Sequence, residues 1–110
     1  MYDIRWDQDA KEDMKGLKLR AHEIADIVDI VDAQLTHQAE RPSKRKKIIR
    51  PEEQLPFKHL EPVWQLRAGE FRIFYDVSPP ELEEAEEFEG IVRIRAVRHK
   101  PPHKTTKEIL

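Results

Sequence analysis

Apolar residues with helical spacing dominate one stretch of the sequence, between residues 19 and 39. There an apolar side chain recurs every three or four positions, at Ile24, Ile27, Val28, Val31 and Leu35. This spacing forms a single apolar stripe, and it predicts a helix over 19–39 that ends before Pro42. A shorter helix is predicted over 8–15, because Asp7 is a suitable N-cap and Gly16 a suitable stop. The two helices should form an antiparallel hairpin.

Alternation of apolar and polar residues predicts four strands, over residues 1–6, 63–68, 71–77 and 91–98. Gly69 and Glu70 form a tight turn that joins the second and third strands into an antiparallel hairpin. In the last strand the alternation directs three side chains to the core, those of Val92, Ile94 and Ala96. Arg93 and Arg95 alternate with them and should face outward. The basic segment KRKKIIR, residues 44–50, fits either a short edge strand or a loop.

The order of these elements favours an α+β fold. Helices come first and most strands follow, so the helical hairpin should pack on one face of a small, mostly antiparallel, twisted sheet. A length of 110 residues suits one domain, residues 1–110. Six glutamates in residues 78–90 predict a solvated acidic loop. The tail after residue 100 should end in a short helical turn.

Composition excludes several kinds of chemistry. The chain has no cysteine, which removes disulfides, thiolate metal sites and cysteine nucleophiles. Its three glycines form no phosphate-binding loop, and Ser43 and Ser78 lie in no Gly-x-Ser-x-Gly motif. The five histidines lack metal-binding spacing, so we expect neither a metal nor a cofactor. The acidic N-terminus and the lack of a long apolar run favour a cytoplasmic protein.

Charge is distributed in blocks that alternate in sign. Residues 41–50 contain six cations and no acid, and residues 91–110 contain six cations and one acid. If the fold brings these segments together, their cations could hold phosphates and stabilise the charge that develops during phosphate cleavage. Phe74 alternates onto the arginine side of its strand and could stack on a base there. A solvated sheet face whose arginines pair with glutamates is the alternative that this pattern leaves open.

Three segments resemble the RelE/ParE toxin superfamily of type II toxin–antitoxin systems. The opening MYDIRWDQDAKEDMKGL is similar to the first strand and helix of that family. The hairpin WQLRAGEFRIFYDV, residues 64–77, resembles its Leu-Arg-x-Gly-x-aromatic-Arg-apolar-x-Tyr motif. The closing VRIRAVRHK, residues 92–100, resembles its last strand and basic turn. The resemblance spans nearly the whole chain, and it implies the same fold and a cognate antitoxin as partner.

The RelE-like branch, which the resemblance favours, cleaves mRNA in the ribosomal A site without a metal and so inhibits translation. The resemblance therefore implies an endoribonuclease, or mRNA interferase, with three catalytic residues. Arg72 would contact the scissile phosphate, Lys100 would add a second cation, and His99 would assist proton transfer. Contacts to RNA or the ribosome are expected from Arg67, Arg95, Lys46, Lys47, Lys104 and His103.

Departures from the RelE-like pattern leave two alternatives. RelE-like enzymes can carry lysines where this chain has Val63 and Gln65, and some have a tyrosine near the C-terminus, where this chain reads HKTTKEIL. The acidic segment 78–90 is also longer than the usual turn of the family. One alternative is a ParE-like toxin that inhibits DNA gyrase without enzymatic activity. The other is a degenerate toxin fold that only binds its antitoxin.

Overall fold

The fold is given by a computed structural model that describes residues 1–51 and 54–110. These ranges contain five strands: β1 (Tyr2–Trp6), β2 (Lys46–Ile49), β3 (Val63–Ala68), β4 (Phe71–Ser78) and β5 (Gly90–His99). They also contain three helices: α1 (Gln8–Gly16), α2 (Ala21–Leu35) and α3 (Thr106–Ile109). Among the helices in these ranges, none has the length and apolar character that crossing a bilayer requires.

All five strands form one sheet, in the order β1-β5-β4-β3-β2. β1 runs parallel to β5, and the other neighbouring pairs are antiparallel. Because helices and a mostly antiparallel sheet occupy separate layers, the predicted α+β class is confirmed. The basic segment that the sequence left as an edge strand or a loop forms β2, at one edge of the sheet.

The helical hairpin packs on one face of the sheet, here called the first face. α2 buries Ile27, Val31 and Leu35 there, together with core side chains of β3, β4 and β5. The apolar stripe predicted from helical spacing is therefore the buried side of α2. The helix ends at Leu35 rather than at Ala39, and Thr36 donates its hydroxyl to the Asp32 carbonyl over 2.6 Å at that end.

The opposite, second face is covered over much of its area, which corrects the expectation of an open cationic face. A segment between β2 and β3, residues 54–62 and called the strap below, lays Leu55 and Phe57 over this face. The C-terminal residues Ile109 and Leu110 pack against the same cluster. Phe74 is fully buried beneath them, with its ring centroid 5.6 Å from that of Phe57. It is therefore inaccessible to a base.

A bulge in β5 changes which side chains of that strand face the helices. Phe74 pairs with Ala96, but the next residue, Tyr75, pairs with Ile94, so that Arg95 is the extra residue. Ala96 consequently joins the cluster on the second face. Val97 instead occupies the position in the core of the first face that the alternation predicts for Ala96. Simple alternation gave the wrong face for Ala96, because it assumes one residue per strand position throughout.

The acidic connection between β4 and β5 contains a short 3₁₀ turn, Leu82–Glu84. Arg5 donates to Glu84 over 2.5 Å, and the backbone N–H of Glu89 donates to the Met1 carbonyl over 2.8 Å. Leu82 is 94% exposed. Since β4 runs from the β3–β4 turn to this connection, the acidic residues lie at the opposite end of the sheet from that turn.

Candidate anion-binding site at the β3–β4 turn

Four arginines form a row across four neighbouring strands near the β3–β4 turn. Arg67 pairs with Arg72 across β3 and β4, and Arg72 pairs with Arg98 across β4 and β5. Just before β2, the Arg45 carbonyl accepts a hydrogen bond of 2.8 Å from the Arg67 N–H. Antiparallel pairing thus brings residues that are far apart in sequence to one level of the sheet. Arg45 was not among the predicted site residues, although its position in the KRKK run and the β2–β3 register together could have indicated it.

Three of these arginines line a shallow depression of about 460 Å³ on the second face, beyond the area that the strap covers. Its lining consists of Arg45, Arg67, Gly69, Glu70, Arg72, Lys100 and Pro102. The fourth arginine, Arg98, turns away from it. Its Nη1 donates to Asp13 Oδ2 over 2.6 Å, and its guanidinium lies 5.9 Å from the centre of the Phe57 ring.

Arg72 is the most constrained cation of the depression. Its side chain comes from the start of β4, only 9% of the residue is exposed, and Nη1 donates to the carbonyls of Gly69 and Phe71 over 2.8 and 2.9 Å. Gly69 has a φ of 61°, a left-handed conformation that glycine adopts without strain. Burial, followed by the nearby charge of Arg67, lowers the pKa of Arg72. The turn therefore holds one side of the guanidinium in a fixed orientation.

The cations of the depression lack carboxylate partners within residues 1–51 and 54–110. Arg45, Arg67, Arg72 and Lys100 form no ion pair there, and the one lining carboxylate, that of Glu70, lies 3.1 Å from Nε2 of His99. Like charges crowded into one concave site attract an anion, and guanidinium groups bind phosphate or carboxylate through charge-assisted hydrogen bonds. The site is thus suited to binding an anionic group.

His99 does not line this site and comes from the other side of the strand pair than Arg72, although it contacts the lining residue Glu70. It pairs with Phe71 across β4 and β5, and the two rings pack with centroids 5.4 Å apart. Phe71 packs against the core on the first face of the sheet, whereas Arg72, the next residue, extends to the second face. Of the three predicted catalytic residues, Arg72 and Lys100 share the depression, and His99 does not line it.

Comparison with protein families matches residues 4–101 to the ParE toxin of the type II toxin–antitoxin system parDE. The chain belongs to the ParE toxin family. Its predicted place in the RelE/ParE toxin superfamily is thereby confirmed. Membership makes the chain the toxin component of a type II toxin–antitoxin system, with a cognate antitoxin as its partner. A comparison with curated protein sequences finds no significant match.

Two cations that the sequence assigned to RNA binding in this ParE-family toxin are buried. Arg95 donates to Asp76 Oδ2 and to Asp7 Oδ2, over 2.7 and 2.6 Å. Lys46 is 1% exposed, and its Nζ donates to the carbonyls of Gln34, in the last turn of α2, and Gln38, just beyond that helix, over 3.0 and 2.7 Å. Both side chains are thus engaged within the fold.

The remaining predicted contacts are dispersed. Arg67 lines the depression, and Lys104 and His103 are exposed in the turn that follows Lys100. Lys47 is exposed on β2 and lines a different groove, between β2 and the tail. The predicted set of cations therefore does not form one surface.

The positions where RelE-like enzymes can carry lysines are buried here. Val63 belongs to the apolar cluster beneath the strap. Gln65 is also buried, and its Oε1 accepts a hydrogen bond of 2.9 Å from Thr106 Oγ1 in the tail. In the described residues, no group of three or more His, Asp or Glu side chains converges as metal ligands would.

Proposed function

We propose that this ParE-family toxin acts by binding its target rather than by cleaving RNA, and that the target is DNA gyrase, as in the ParE-like branch. The observation that carries the proposal is the separation of His99 from Arg72. The two side chains lie on opposite faces of the sheet, although the nuclease mechanism needs them at one phosphate.

Proton transfer is the step that this site supports least. RNA cleavage through the ribose 2′-hydroxyl needs a general base within hydrogen-bonding reach of that hydroxyl, with a pKa near the working pH. Arginine stays protonated at neutral pH and can only stabilise negative charge. Beside its three arginines, the depression offers Lys100 and the carboxylate of Glu70, which faces His99. Binding to an anionic surface of a target protein requires no proton transfer.

The second candidate is the RelE-like activity, ribosome-dependent cleavage of mRNA with inhibition of translation. It is favoured by one observation, the presence of Arg72 and Lys100 in the same depression. Two neighbouring cations would stabilise the charge of a phosphorane, and in other enzymes the loss of one such group lowers kcat about 10²–10³-fold. In this candidate the proton transfers would depend on Lys100 or on groups of the ribosome.

One preparation of the purified toxin distinguishes the candidates in two assays. The first is DNA supercoiling by gyrase, and the second maps mRNA cuts in a ribosome-containing translation reaction. We expect loss of supercoiling and intact mRNA. Cuts at A-site codons, with supercoiling unaffected, would refute the proposal and establish the nuclease. No effect in either assay would leave a protein that only binds its antitoxin.

Three variants define the residues involved. We expect Arg72→Ala to weaken the inhibition of gyrase at least tenfold, because it removes the fixed cation of the depression. His99→Gln should change inhibition less than twofold, whereas a nuclease that used His99 would lose about 10²-fold or more of its activity. Lys58→Ala, in the exposed part of the strap, is the matched control for loss of a positive charge. Circular dichroism spectra should show that each variant is folded.

A further inference from the structure

One carboxylate borders the depression without pairing with its cations. Glu70, in the β3–β4 turn, lines the same surface as three arginines and Lys100. Within residues 1–51 and 54–110 it forms an ion pair with none of these cations, and its Oε2 lies instead 3.1 Å from Nε2 of His99. Because guanidinium groups form strong charge-assisted hydrogen bonds with carboxylates, this direction of the Glu70 side chain needs a cause.

The backbone of Glu70 is fixed, whereas its side chain is not. The Lys100 N–H donates to the Glu70 carbonyl over 2.6 Å, which holds the turn against the end of β5. The side chain is 60% exposed, so few neighbours restrict its torsions. Since the turn lies at the end of the sheet, we expect a change of these torsions alone to move the carboxylate between His99 and the depression.

Arg72 has donors that the Glu70 carboxylate would occupy in the depression. Its Nη1 donates to the carbonyls of Gly69 and Phe71, which leaves Nε and Nη2 without a hydrogen-bond partner in the described part of the chain. Two parallel N–H groups of this kind can bind a carboxylate or a phosphate together. A carboxylate of the chain itself at these donors would neutralise one cation and block its ligand. Glu70 is therefore an internal competitor of any anionic ligand.

His99 is held where it can retain this carboxylate. Its ring packs on that of Phe71 with centroids 5.4 Å apart, and the two residues pair across β4 and β5. An ionised carboxylate can only accept hydrogen bonds, so Nε2 of the imidazole is the donor in its contact with Glu70. The strand pair thus supplies a donor for Glu70 on the side away from Arg72.

We infer that His99 is a positioning residue of the anion-binding site: it retains the Glu70 carboxylate and so keeps the donors of Arg72 open to a phosphate or carboxylate ligand. Without the imidazole, Glu70 turns to the arginines and competes with the ligand from within the chain. The inference rests on the anion-binding role that the proposed function gives to the depression. It gives His99 a role that requires neither proton transfer nor contact with the ligand.

The test measures binding of inorganic pyrophosphate to the purified toxin by titration calorimetry. We expect His99→Ala to raise the dissociation constant about threefold, the size expected when a ligand has to displace an exposed ion pair. His99→Gln should change it less than 1.5-fold, because the side-chain amide of glutamine can replace the Nε2 donor. His22→Ala, at an exposed position of α2, is the matched control for loss of a histidine and should also change it less than 1.5-fold.

The decisive comparison repeats His99→Ala in a Glu70→Gln background, where no carboxylate can compete. There the substitution should change the dissociation constant less than 1.5-fold. An equal loss in both backgrounds would overturn the inference, because His99 would then act through its own charge or through the fold. Equal losses in His99→Ala and His99→Gln, an unchanged constant in His99→Ala, or failure of the wild-type toxin to bind pyrophosphate would overturn it as well.

Failure of the proposed function would give a different result. A toxin that leaves supercoiling by gyrase unaffected, but shows the expected dependence of pyrophosphate binding on His99 and Glu70, would refute gyrase as the target and support the inference. A toxin that inhibits gyrase, but binds pyrophosphate equally well with and without His99, would support the target and refute the role of His99.

Discussion

The carboxylate of Asp76 accepts two hydrogen bonds from the guanidinium of Arg95, 2.7 and 3.2 Å long, at the bulge of β5. The same carboxylate accepts the Leu60 N–H of the strap over 2.7 Å, and Arg95 reaches on to Asp7 just before α1. Burial alone would lower the pKa of Arg95, but its hydrogen bonds to the two carboxylates raise it overall. One buried pair thus connects two strands, the strap and the first helix.

Removing the acidic partner should therefore be costly. We expect Asp76→Ala to lower the free energy of unfolding by about 3–5 kcal/mol, because it leaves the buried Arg95 without its main counter-charge. Urea denaturation measures this value. The control is Asp3→Ala, which breaks the partly exposed contact between Asp3 and Arg5 and should cost less than about 1 kcal/mol. Similar losses in the two variants would mean that the buried pair contributes no more than a surface one.

Lys46 should behave as a structural residue that stabilises the end of α2. Lys46→Met keeps the length of the side chain but leaves two carbonyls without a donor, so we expect a loss of about 1–3 kcal/mol. Lys47→Met, one residue away and exposed, should change stability by less than about 0.5 kcal/mol. Denaturant unfolding of both variants checks this contrast, and a smaller effect at Lys46 than at Lys47 would contradict it.

The pH dependence of Lys46 provides a second readout. Burial, followed by the charge of Arg41, lowers its pKa below the ordinary value of 10.5. A lowered pKa means that the unfolded chain binds the proton more tightly. The stability of wild type relative to Lys46→Met should therefore rise as the pH increases through the folded-state pKa toward 10.5. A difference that stays constant up to pH 10.5 would show that the ammonium is not desolvated.

Both tyrosines should resist ionisation in the folded protein. Burial, followed by the charge of Glu40, raises the pKa of Tyr2 from 10.0 to about 12, and burial also raises the pKa of Tyr75. Because the fold favours the protonated phenol of Tyr2, the stability this provides is complete below pH 10 and is lost as the pH rises toward 12. In buffer, the absorbance of the folded protein at 295 nm should show no phenolate step near pH 10. In about 8 M urea, which unfolds the chain, both tyrosines should ionise near pH 10 and produce such a step. A step near pH 10 in the folded protein would contradict the expectation.

Two glycines should respond oppositely to the same substitution. Gly69→Ala forces a side chain into the left-handed region and should cost about 1–2 kcal/mol. Gly16 ends α1 without a positive φ, and a Cβ there would meet no atom within 4 Å. Gly16→Ala should therefore stabilise by about 0.4–1 kcal/mol. Thermal unfolding midpoints of the two variants give the signs directly. Stabilisation by Gly69→Ala would show that the turn does not need its left-handed residue.

Sequence patterns were informative where one side of an element is buried and the other is exposed to solvent. The stripe through Ile27, Val31 and Leu35 satisfies this condition, and it identified the helical layer. The central strand β4 is buried on both faces, and its alternation identified the hairpin only together with the glycine turn before it. The pattern failed at Ala96, because a bulge inserts a residue without changing the composition. Nothing local in the sequence marks that insertion.

The candidate site was only partly predictable. Arg67, Arg72 and Lys100 follow from the hairpin and the basic turn, and they do meet in one depression. The burial of Lys46 and Arg95 could not be read locally, because their partners lie in α2, in β4 and just before α1. The strap was equally hidden, since residues 54–62 have neither helical nor alternating periodicity, and their covering of Phe74 depends on the assembled sheet.

The separation of charge along β4 gives the toxin a permanent electric dipole. The arginines at the β3–β4 turn and the glutamates of the β4–β5 connection are separated by the length of β4, about 25 Å for its eight residues. Although the net charge is only −2, a charged surface exerts a torque on such a molecule before contact. A negatively charged target would therefore be approached with the arginines foremost, and added salt would slow association by weakening this alignment.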